Sequence, residues 1–238
     1  MIKKYQTRVP NEYQEVDFIY NNYNQKTYID TGFISSDLYD CEIEMIMRND
    51  STTTTAYNFN GAYESGKTSQ FGLVATDNNT CRVSINFGFT DAVSVTGLSI
   101  NSFHTIYVRS GLQKVDNVTV GSNVFGTLNS LPFLLFARTQ IGAQDDKQYC
   151  PRQSIKLFTV RRNGEYIRYM LPVKRKSDNL AGLYDTANNI FYPNQGADTM
   201  SASTNIDNYV WKSIPYKVYE NGEWVEYNDK KYDNGEWS

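Results

Sequence analysis

The stretch Thr80-Cys-Arg-Val-Ser-Ile-Asn-Phe-Gly-Phe89 alternates apolar and small or polar residues along its whole length. Its apolar members occupy the odd positions, from Cys81 to Phe89, and the others occupy the even positions. Because successive side chains of a strand point to opposite faces of a sheet, this period of two indicates a strand that is buried on one face only. The stretch therefore predicts a half-buried β-strand, with one face against a hydrophobic core and the other exposed.

The same alternation recurs on both sides of this stretch. Cys41-Glu-Ile-Glu-Met-Ile-Met-Arg48 also has apolar residues at its odd positions, and similar runs lie near 103–109, 115–120, 155–161 and 166–171. Turn sequences separate the runs: Asp77-Asn-Asn79, Arg162-Asn-Gly-Glu165 and Asn188-Asn189. No stretch carries an apolar stripe with the helical period over three turns. Many short strands with frequent turns predict an all-β protein, an antiparallel sandwich or barrel.

Composition restricts the classes of partner. The chain has 238 residues, 40% of them hydrophobic and 21% charged, which is enough to fold around a sizeable core. The formal net charge is −3, and lysine and arginine are scattered, so we expect no nucleic acid and no anionic lipid as a partner. The longest apolar run, Leu131–Ala137, is far shorter than the roughly 20 residues that span a bilayer. The N-terminus has no apolar segment typical of a signal peptide, so we expect neither membrane insertion nor secretion.

Few residues could support catalysis or bind a metal. Cys41, Cys81 and Cys150 are spaced too widely for a zinc site, and the first two fall on the apolar side of their runs, which predicts packed free thiols. His104 is the only histidine, and no nucleophile stands near it in the sequence, so we interpret it as a structural residue at a strand end. The sequence thus predicts no metal site, no cofactor and no catalytic residue.

The segment Gly61-Ala-Tyr-Glu-Ser-Gly-Lys-Thr68 matches the phosphate-binding pattern G-x-x-x-x-G-K-[ST]. In a true P-loop a helix begins at the Lys-Thr pair, and its N-terminal amides bind the phosphates. Here the chain continues as Ser69–Ala75, which is interrupted by glycine and strand-like. We therefore interpret 61–68 as a Gly/Ser loop between two strands.

Glu42 and Glu44 lie two apart on one face of a predicted strand and are candidates for a paired-carboxylate site of the kind that glycosidases use. Their surroundings resemble the E-I-D-x-x-E signature of laminarinase-type glycoside hydrolases, but Met47 stands where the last acid would be. The two glutamates are better interpreted as a solvated or salt-bridged face of a strand.

The C-terminal region contains a tandem repeat of the form (Ile/Tyr)-(Asp/Glu)-Asn-x-x-Trp, with its tryptophans 13 residues apart. The Asn-Gly pairs at 221–222 and 234–235 favour two-residue hairpin turns, because both turn positions must take positive φ. We predict a β-hairpin arm over 205–238 beyond a main domain over 1–204. A sugar-stacking platform is the alternative to an assembly role for the arm. The residues predicted to make assembly contacts are Trp211, Tyr219, Trp224, Tyr232 and Trp237.

Two segments resemble concanavalin A-like lectin/glucanase domains, which are LamG-like jelly rolls found in tail and capsid-surface proteins of bacteriophages. Tyr13–Tyr20 and Gln25–Phe33 are similar to the family's opening, Y-x-E-[VL]-x-[YF]-I … Q-Y-I-D-T-G-F. Ile155–Tyr192 is similar to its closing block, with an N-G turn, P-x-x-R/K, G-L-Y-D and F-Y. The Y-x-N-G-x-W units are similar to C-terminal extensions of phage virion proteins. The resemblance implies an antiparallel jelly-roll β-sandwich.

The resemblance also implies a function. We expect a non-enzymatic virion protein of a tail, fibre or capsid surface, made in the host cytoplasm, whose lectin-like domain attaches to a host glycan or another surface structure. Other virion proteins, a bacterial surface glycan and further copies of the chain are the expected partners. Two alternatives stay open: a structural capsid decoration or assembly module without ligand, and a glycoside hydrolase of the same superfamily. The residues predicted to bind the ligand, as loop positions, are Tyr57, Asn60, Tyr63, Asn78 and Asn79.

Overall fold

The structure, a computed structural model, describes residues 9–22, 26–51, 57–65, 67–142 and 146–203, and beyond these only the backbone of four short strands. The chain divides into two compact units, Met1–Thr204 and Asn205–Ser238. Within the described residues, no helix is long and apolar enough to cross a membrane.

The first unit consists almost entirely of strands. A short 3₁₀ helix, Ser35–Leu38, follows its third strand. In chain order the strands are β1 (Tyr13–Glu15), β2 (Ile19–Tyr20), β3 (Ile29–Ile34), β4 (Cys41–Asn49), β5 (Tyr57–Tyr63), β6 (Ser69–Ala75), β7 (Thr80–Phe87), β8 (Val93–Ser99), β9 (His104–Arg109), β10 (Leu112–Val115), β11 (Val118–Gly121), β12 (Pro132–Leu135), β13 (Ala137–Gln140), β14 (Lys147–Tyr149), β15 (Gln153–Arg162), β16 (Glu165–Arg175), β17 (Ala181–Asp185), β18 (Ile190–Pro193) and β19 (Ser201–Ala202).

These strands form two sheets. The first sheet has the order β11-β10-β9-β4-β15-β16-β17-β18, with β1 paired to β16 and with β2 paired to β15 and β19. The second has the order β14-β13-β5-β6-β7-β8, and β12 pairs with both β3 and β5. Described pairs are antiparallel except for β13 and β5, which run parallel. The protein is a jelly-roll-like β-sandwich, which confirms the predicted fold class.

Alternate residues of the strands fill the space between the sheets. The odd residues of β7 from Cys81 to Phe87 are fully buried, and Ile43, Met45 and Met47 of β4 are equally inaccessible from the other sheet. The rings of Phe133 and Phe158, from the second and the first sheet, lie 6.2 Å apart. The period of two in both sequence runs is therefore confirmed as a one-sided burial pattern.

One predicted strand is interrupted by a turn. The run 115–120 contains the turn between β10 and β11, where Asp116 and Asn117 have φ of 48° and 66°. Asp and Asn tolerate this left-handed region better than other residues with a side chain, so a turn forms within an alternating pattern. By contrast, the predicted turn over 162–165 is confirmed: Asn163 and Gly164 both take positive φ between β15 and β16.

The three cysteines are free and buried, and Cys41 and Cys81 belong to the core as predicted. Burial raises the pKa of Cys81 to about 11 and also raises the pKa values of Cys41 and Cys150. The thiolate is the reactive form, so we expect no thiol of the folded protein to react with Ellman's reagent at pH 8 within minutes. All three should react after denaturation in guanidinium chloride. Rapid labelling of the folded protein would contradict this prediction.

The second unit contains four described strands: β20 (Tyr216–Glu220), β21 (Glu223–Tyr227), β22 (Tyr232–Asp233) and β23 (Glu236–Trp237). They pair as two antiparallel hairpins whose registers place Tyr219 opposite Trp224 and Tyr232 opposite Trp237, as predicted. Trp211 and the two Asn-Gly pairs lie outside the described residues. The assembly role of these aromatic residues stays a prediction.

Candidate functional site

The outer face of the second sheet carries a row of aromatic side chains on β5. Asn58 and Asn60 of this strand point inward, since they bond with Asn49 and Gln153 of the first sheet. The alternate residues face outward, and the rings of Tyr57 and Phe59 stack at a centroid distance of 6.0 Å. Tyr57, Phe59 and Tyr63 together are called the β5 aromatic row below.

Arg138 of β13 inserts into this row. The parallel pairing of β13 with β5 places Arg138 beside Gly61, between Phe59 and Tyr63. Its guanidinium carbon lies 5.1 Å from the centre of the Phe59 ring and 4.5 Å from that of Tyr63. Both distances are within the range of a cation–π interaction. Two aromatic rings therefore hold the cation on the outer face of the sheet.

The hydrogen-bond partners of Arg138 are neutral. Its Nη1 donates to Gln70 Oε1 on β6, and its Nη2 donates to Gln140 Oε1 at 2.9 Å. Burial lowers the pKa of this guanidinium, and none of the side chains that perturb it is a carboxylate. Since arginine is not deprotonated in proteins, Arg138 remains a half-buried positive charge. Within the described residues nothing neutralises it.

Register and burial identify the other side chains of this face. On β6 and β7 the outward residues alternate with core residues such as Phe71 and Val83. Arg82 is among them, and it too has no carboxylate partner in the described part of the chain, whereas Arg161 pairs with Glu42 at 3.1 Å. The outward residues of β5, β6, β7 and β13, which include no Asp or Glu, are Tyr57, Phe59, Gly61, Tyr63, Gln70, Gly72, Val74, Thr80, Arg82, Ser84, Asn86, Arg138 and Gln140.

Two polar atoms of the site lack a hydrogen-bond partner among the residues that the structure describes. They are Arg138 Nε and Gln148 Oε1, which are buried on directly paired residues of β13 and β14. Leaving a buried donor or acceptor unpaired costs about 1–3 kcal/mol, so such groups need an explanation. Both atoms are buried, so they mark unsatisfied polar groups beneath this face rather than contacts that a ligand makes directly.

The structure corrects the location of three predicted ligand residues. Tyr57, Asn60 and Tyr63 belong to β5 rather than to a loop. Asn60 has no exposed surface, and its Oδ1 accepts hydrogen bonds from the backbone of Phe136 at 2.8 Å and from Gln153 at 2.9 Å. It therefore has no free group to offer a ligand. Tyr57 and Tyr63 do lie on the outer face, and Tyr57 is 43% exposed.

Asn78 and Asn79 are exposed in the turn between β6 and β7. Asp77 organises this turn by accepting hydrogen bonds from Asn79 and Thr80, which hold the pKa of Asp77 below its usual value. Tyr57 pairs with Val74 near this turn, whereas Tyr63 lies about 20 Å away at the other end of β5. The five predicted residues are therefore not brought together, and ligand binding by the two asparagines stays a prediction.

The acidic and histidine candidates take structural positions. Glu42 lies 3.1 Å from Arg161 and 3.9 Å from Arg109, as predicted for a salt-bridged face. His104 begins β9, and its ring nitrogens lie 2.7 Å from Asp116 Oδ2 and 2.9 Å from the Ser99 carbonyl. Within the described residues, no group of three or more metal-binding side chains is found.

The fold also shows that the segment with the P-loop pattern, 61–68, is not a phosphate-binding loop. The residues after Lys67 and Thr68 form strand β6, so no helix N-terminus meets this loop. The backbone N–H of Lys67 donates to the Glu64 carbonyl, and the side chains of the same residues form an exposed ion pair. The predicted loop over 61–68 is too long, because Gly61 and Tyr63 belong to β5; the remaining residues join the two strands without the geometry of a phosphate site.

A second surface feature is a shallow depression of about 500 Å³ beside the 3₁₀ helix. Tyr39 is 53% exposed there, and its ring meets Phe125 edge-on at 6.4 Å. The lining carries hydroxyl groups but no charged side chain; its residues are Ser36, Tyr39, Phe125, Gly126, Thr127 and Leu128. It offers fewer polar contacts than the face around Arg138.

Comparison with known proteins assigns no family to this chain. No family model matches the chain, and no curated protein matches it. A solved structure that it resembles comes from Bacteroides ovatus and is named a "putative carbohydrate binding protein". The TM-score is 0.47 at 12% sequence identity over 79% of this chain, which spans 60% of the length of that structure.

Proposed function

We propose that the protein binds a saccharide on the outer face of its second sheet and catalyses no reaction on it. The observation that supports this proposal is the β5 aromatic row with Arg138 inserted between two of its rings. A sugar ring combines an apolar C–H face with a rim of hydroxyl groups. The aromatic rings of the row offer a flat apolar surface for the C–H face of the sugar. The guanidinium and the glutamine amides offer hydrogen-bond donors and acceptors for its hydroxyl groups.

The chemistry of the face favours binding over hydrolysis. A glycosidase of the usual kind needs two carboxyl groups that flank the scissile bond. The outward residues of β5, β6, β7 and β13 supply none, and Glu42 lies on the first sheet in ion pairs with arginines. We therefore assign recognition, rather than bond cleavage, to this surface.

We further propose the setting that the family resemblance implies. In it, a concanavalin A-like domain attaches a virion to glycan on a bacterial surface. A decoration module without ligand would be incorporated into particles but would be retained on no glycan. Immunodetection of the protein in purified particles, together with glycan retention, distinguishes the two roles.

A glycan array probed with the full chain tests the binding proposal, with Tyr57→Ala as the decisive variant. Tyr57 is 43% exposed, so its removal should not affect folding but should weaken binding of the array hits about five- to tenfold, the value of one aromatic contact. Tyr166→Ala is the matched control, because that tyrosine is 46% exposed on the first sheet. The control should bind as the unaltered protein does.

Two results would contradict the proposal. One is that the unaltered chain is retained on no glycan of an array that covers neutral and acidic saccharides. The other is that Tyr57→Ala and Tyr166→Ala bind equally well, which would place the glycan elsewhere on the molecule.

A further inference from the structure

We infer that the saccharide carries acidic groups and that one of them contacts Arg138; this inference rests on the proposed binding function. The first reason is the state of the Arg138 charge. The side chain is half-buried, its hydrogen bonds go to neutral glutamines, and two aromatic rings flank it. A guanidinium removed from water without an anion is costly, and a ligand anion would offset that cost.

Several other arginines of the protein are neutralised by carboxylates. Arg161 pairs with Glu42, Arg162 with Asp40, and Arg175 with Asp178. These three lie on the first sheet or at its turns. Arg138 differs from these three arginines in that it has no carboxylate partner among the described residues and is half-buried.

Arg138 retains hydrogen-bond donors for an anion. Its guanidinium has five N–H groups, of which the two glutamines use one on Nη1 and one on Nη2. Of the three that remain, the N–H on Nε is buried, so the second N–H of each Nη is left for an anion. Paired N–H groups of a guanidinium fit the two oxygens of a carboxylate or sulfate, and such charged hydrogen bonds are stronger than neutral ones.

Arg82 extends the positive character of the face. From the strand order and register, its Cα lies about 20 Å from that of Arg138, diagonally across β5 and β6. Ser84 and Asn86 lie on the same face of β7, and no acidic side chain stands among the outward residues between the two arginines. Two separated positive charges suit an extended saccharide with repeated acidic groups.

Two matched pairs of probes test the inference in solution. The first is an oligogalacturonate and its methyl-esterified counterpart; the second is dextran sulfate and dextran. In 20 mM salt we expect at least tenfold tighter binding of the acidic member in one pair or both, with a difference that shrinks in 0.5 M salt. The pair that shows the preference identifies carboxylate or sulfate as the group recognised.

Arg138→Gln removes the charge while keeping a polar side chain, and it should abolish the preference for the acidic member. Arg138→Lys keeps the charge without the planar fork and should retain part of the preference. Arg109→Gln is the matched control, because this arginine lies on β9 of the first sheet, and the preference should be unchanged. Thermal unfolding of each variant shows whether it is folded.

Failure of the inference and failure of the proposed function give different results. If neither acidic probe binds more tightly than its neutral partner, or if Arg138→Gln keeps the preference, the inference is wrong. Retention of neutral glycans that depends on Tyr57 would then still support the binding function. Absence of retention on every neutral and acidic saccharide would overturn both.

Discussion

Replacing Asp185 by alanine should lower the free energy of unfolding by about 4 kcal/mol, the largest effect expected of a single substitution here. Asp185 ends β17 and is fully buried. Its carboxylate accepts hydrogen bonds from the backbone of Tyr169 and Ala187, at 2.9 and 3.0 Å, and from the Asn188 amide at 2.7 Å. Arg168 Nε lies 3.5 Å from it.

The alanine variant would remove the shared acceptor of these three donors and would leave the mostly buried Arg168 without its carboxylate. The turn between β17 and β18 depends on them, because two of the three donors belong to that turn. Urea denaturation followed by circular dichroism measures the change. Asp185→Asn, which keeps one acceptor oxygen, should be less destabilised than the alanine variant. Asp178→Ala is the control, since that carboxylate is exposed, and a loss as large as that of Asp185→Ala would contradict the explanation.

Asn60→Ala should lower the free energy of unfolding by about 3 kcal/mol, because Asn60 is fully buried and its hydrogen-bond partners would be left unpaired. Its amide joins the two sheets through a reciprocal pair with Gln153, with hydrogen bonds of 2.9 and 3.2 Å. Its Oδ1 also accepts from the Phe136 backbone at 2.8 Å. Phe136 has φ of 62°, a strained conformation for an aromatic residue, and needs such support.

This hydrogen bond also positions the candidate site. Phe136 separates β12 from β13, and Arg138 follows two residues later. We therefore expect Asn60→Ala, tested below its unfolding temperature, to bind saccharide less tightly than the unaltered protein. Asn86→Ala is the stability control, because the structure shows one hydrogen bond to its side chain, from the Phe89 backbone. Equal stability losses in the two variants, by urea denaturation, would contradict the role of Asn60.

Part of the candidate site could be predicted from the sequence. The spacing Tyr57-x-Phe59-x-Gly61-x-Tyr63 has the period of a strand, so parity alone could have placed these rings on one face. The Gly-Lys-Thr pattern that follows indicates a loop, and the prediction that Asn60 binds the ligand beside Tyr57 and Tyr63 is wrong because its parity is opposite to theirs. Parity sends Asn60 inward, where its amide joins the two sheets.

Arg138 and Gln148 could not be predicted in this way. Arg138 reaches the β5 aromatic row because β13 pairs with β5 in parallel, which joins residues 77 positions apart, and Gln148 lies opposite Arg138 on β14. A parallel pairing has no local signature, since no hairpin turn connects the two strands. The break at Phe136 that makes it possible depends on an inward amide from another strand.

The alternation of side chains along single strands predicted an antiparallel sandwich or barrel, the packing of Cys41 and Cys81, and a solvated or salt-bridged face at Glu42, because one-sided burial leaves its period in the sequence. Which strands lie side by side was decided only by the tertiary structure. The outer face of the second sheet, with its unneutralised arginine, is therefore a feature that only the tertiary structure shows. Arg138 comes to lie on this face because β13 and β5, which are distant in the sequence, become neighbours in the second sheet.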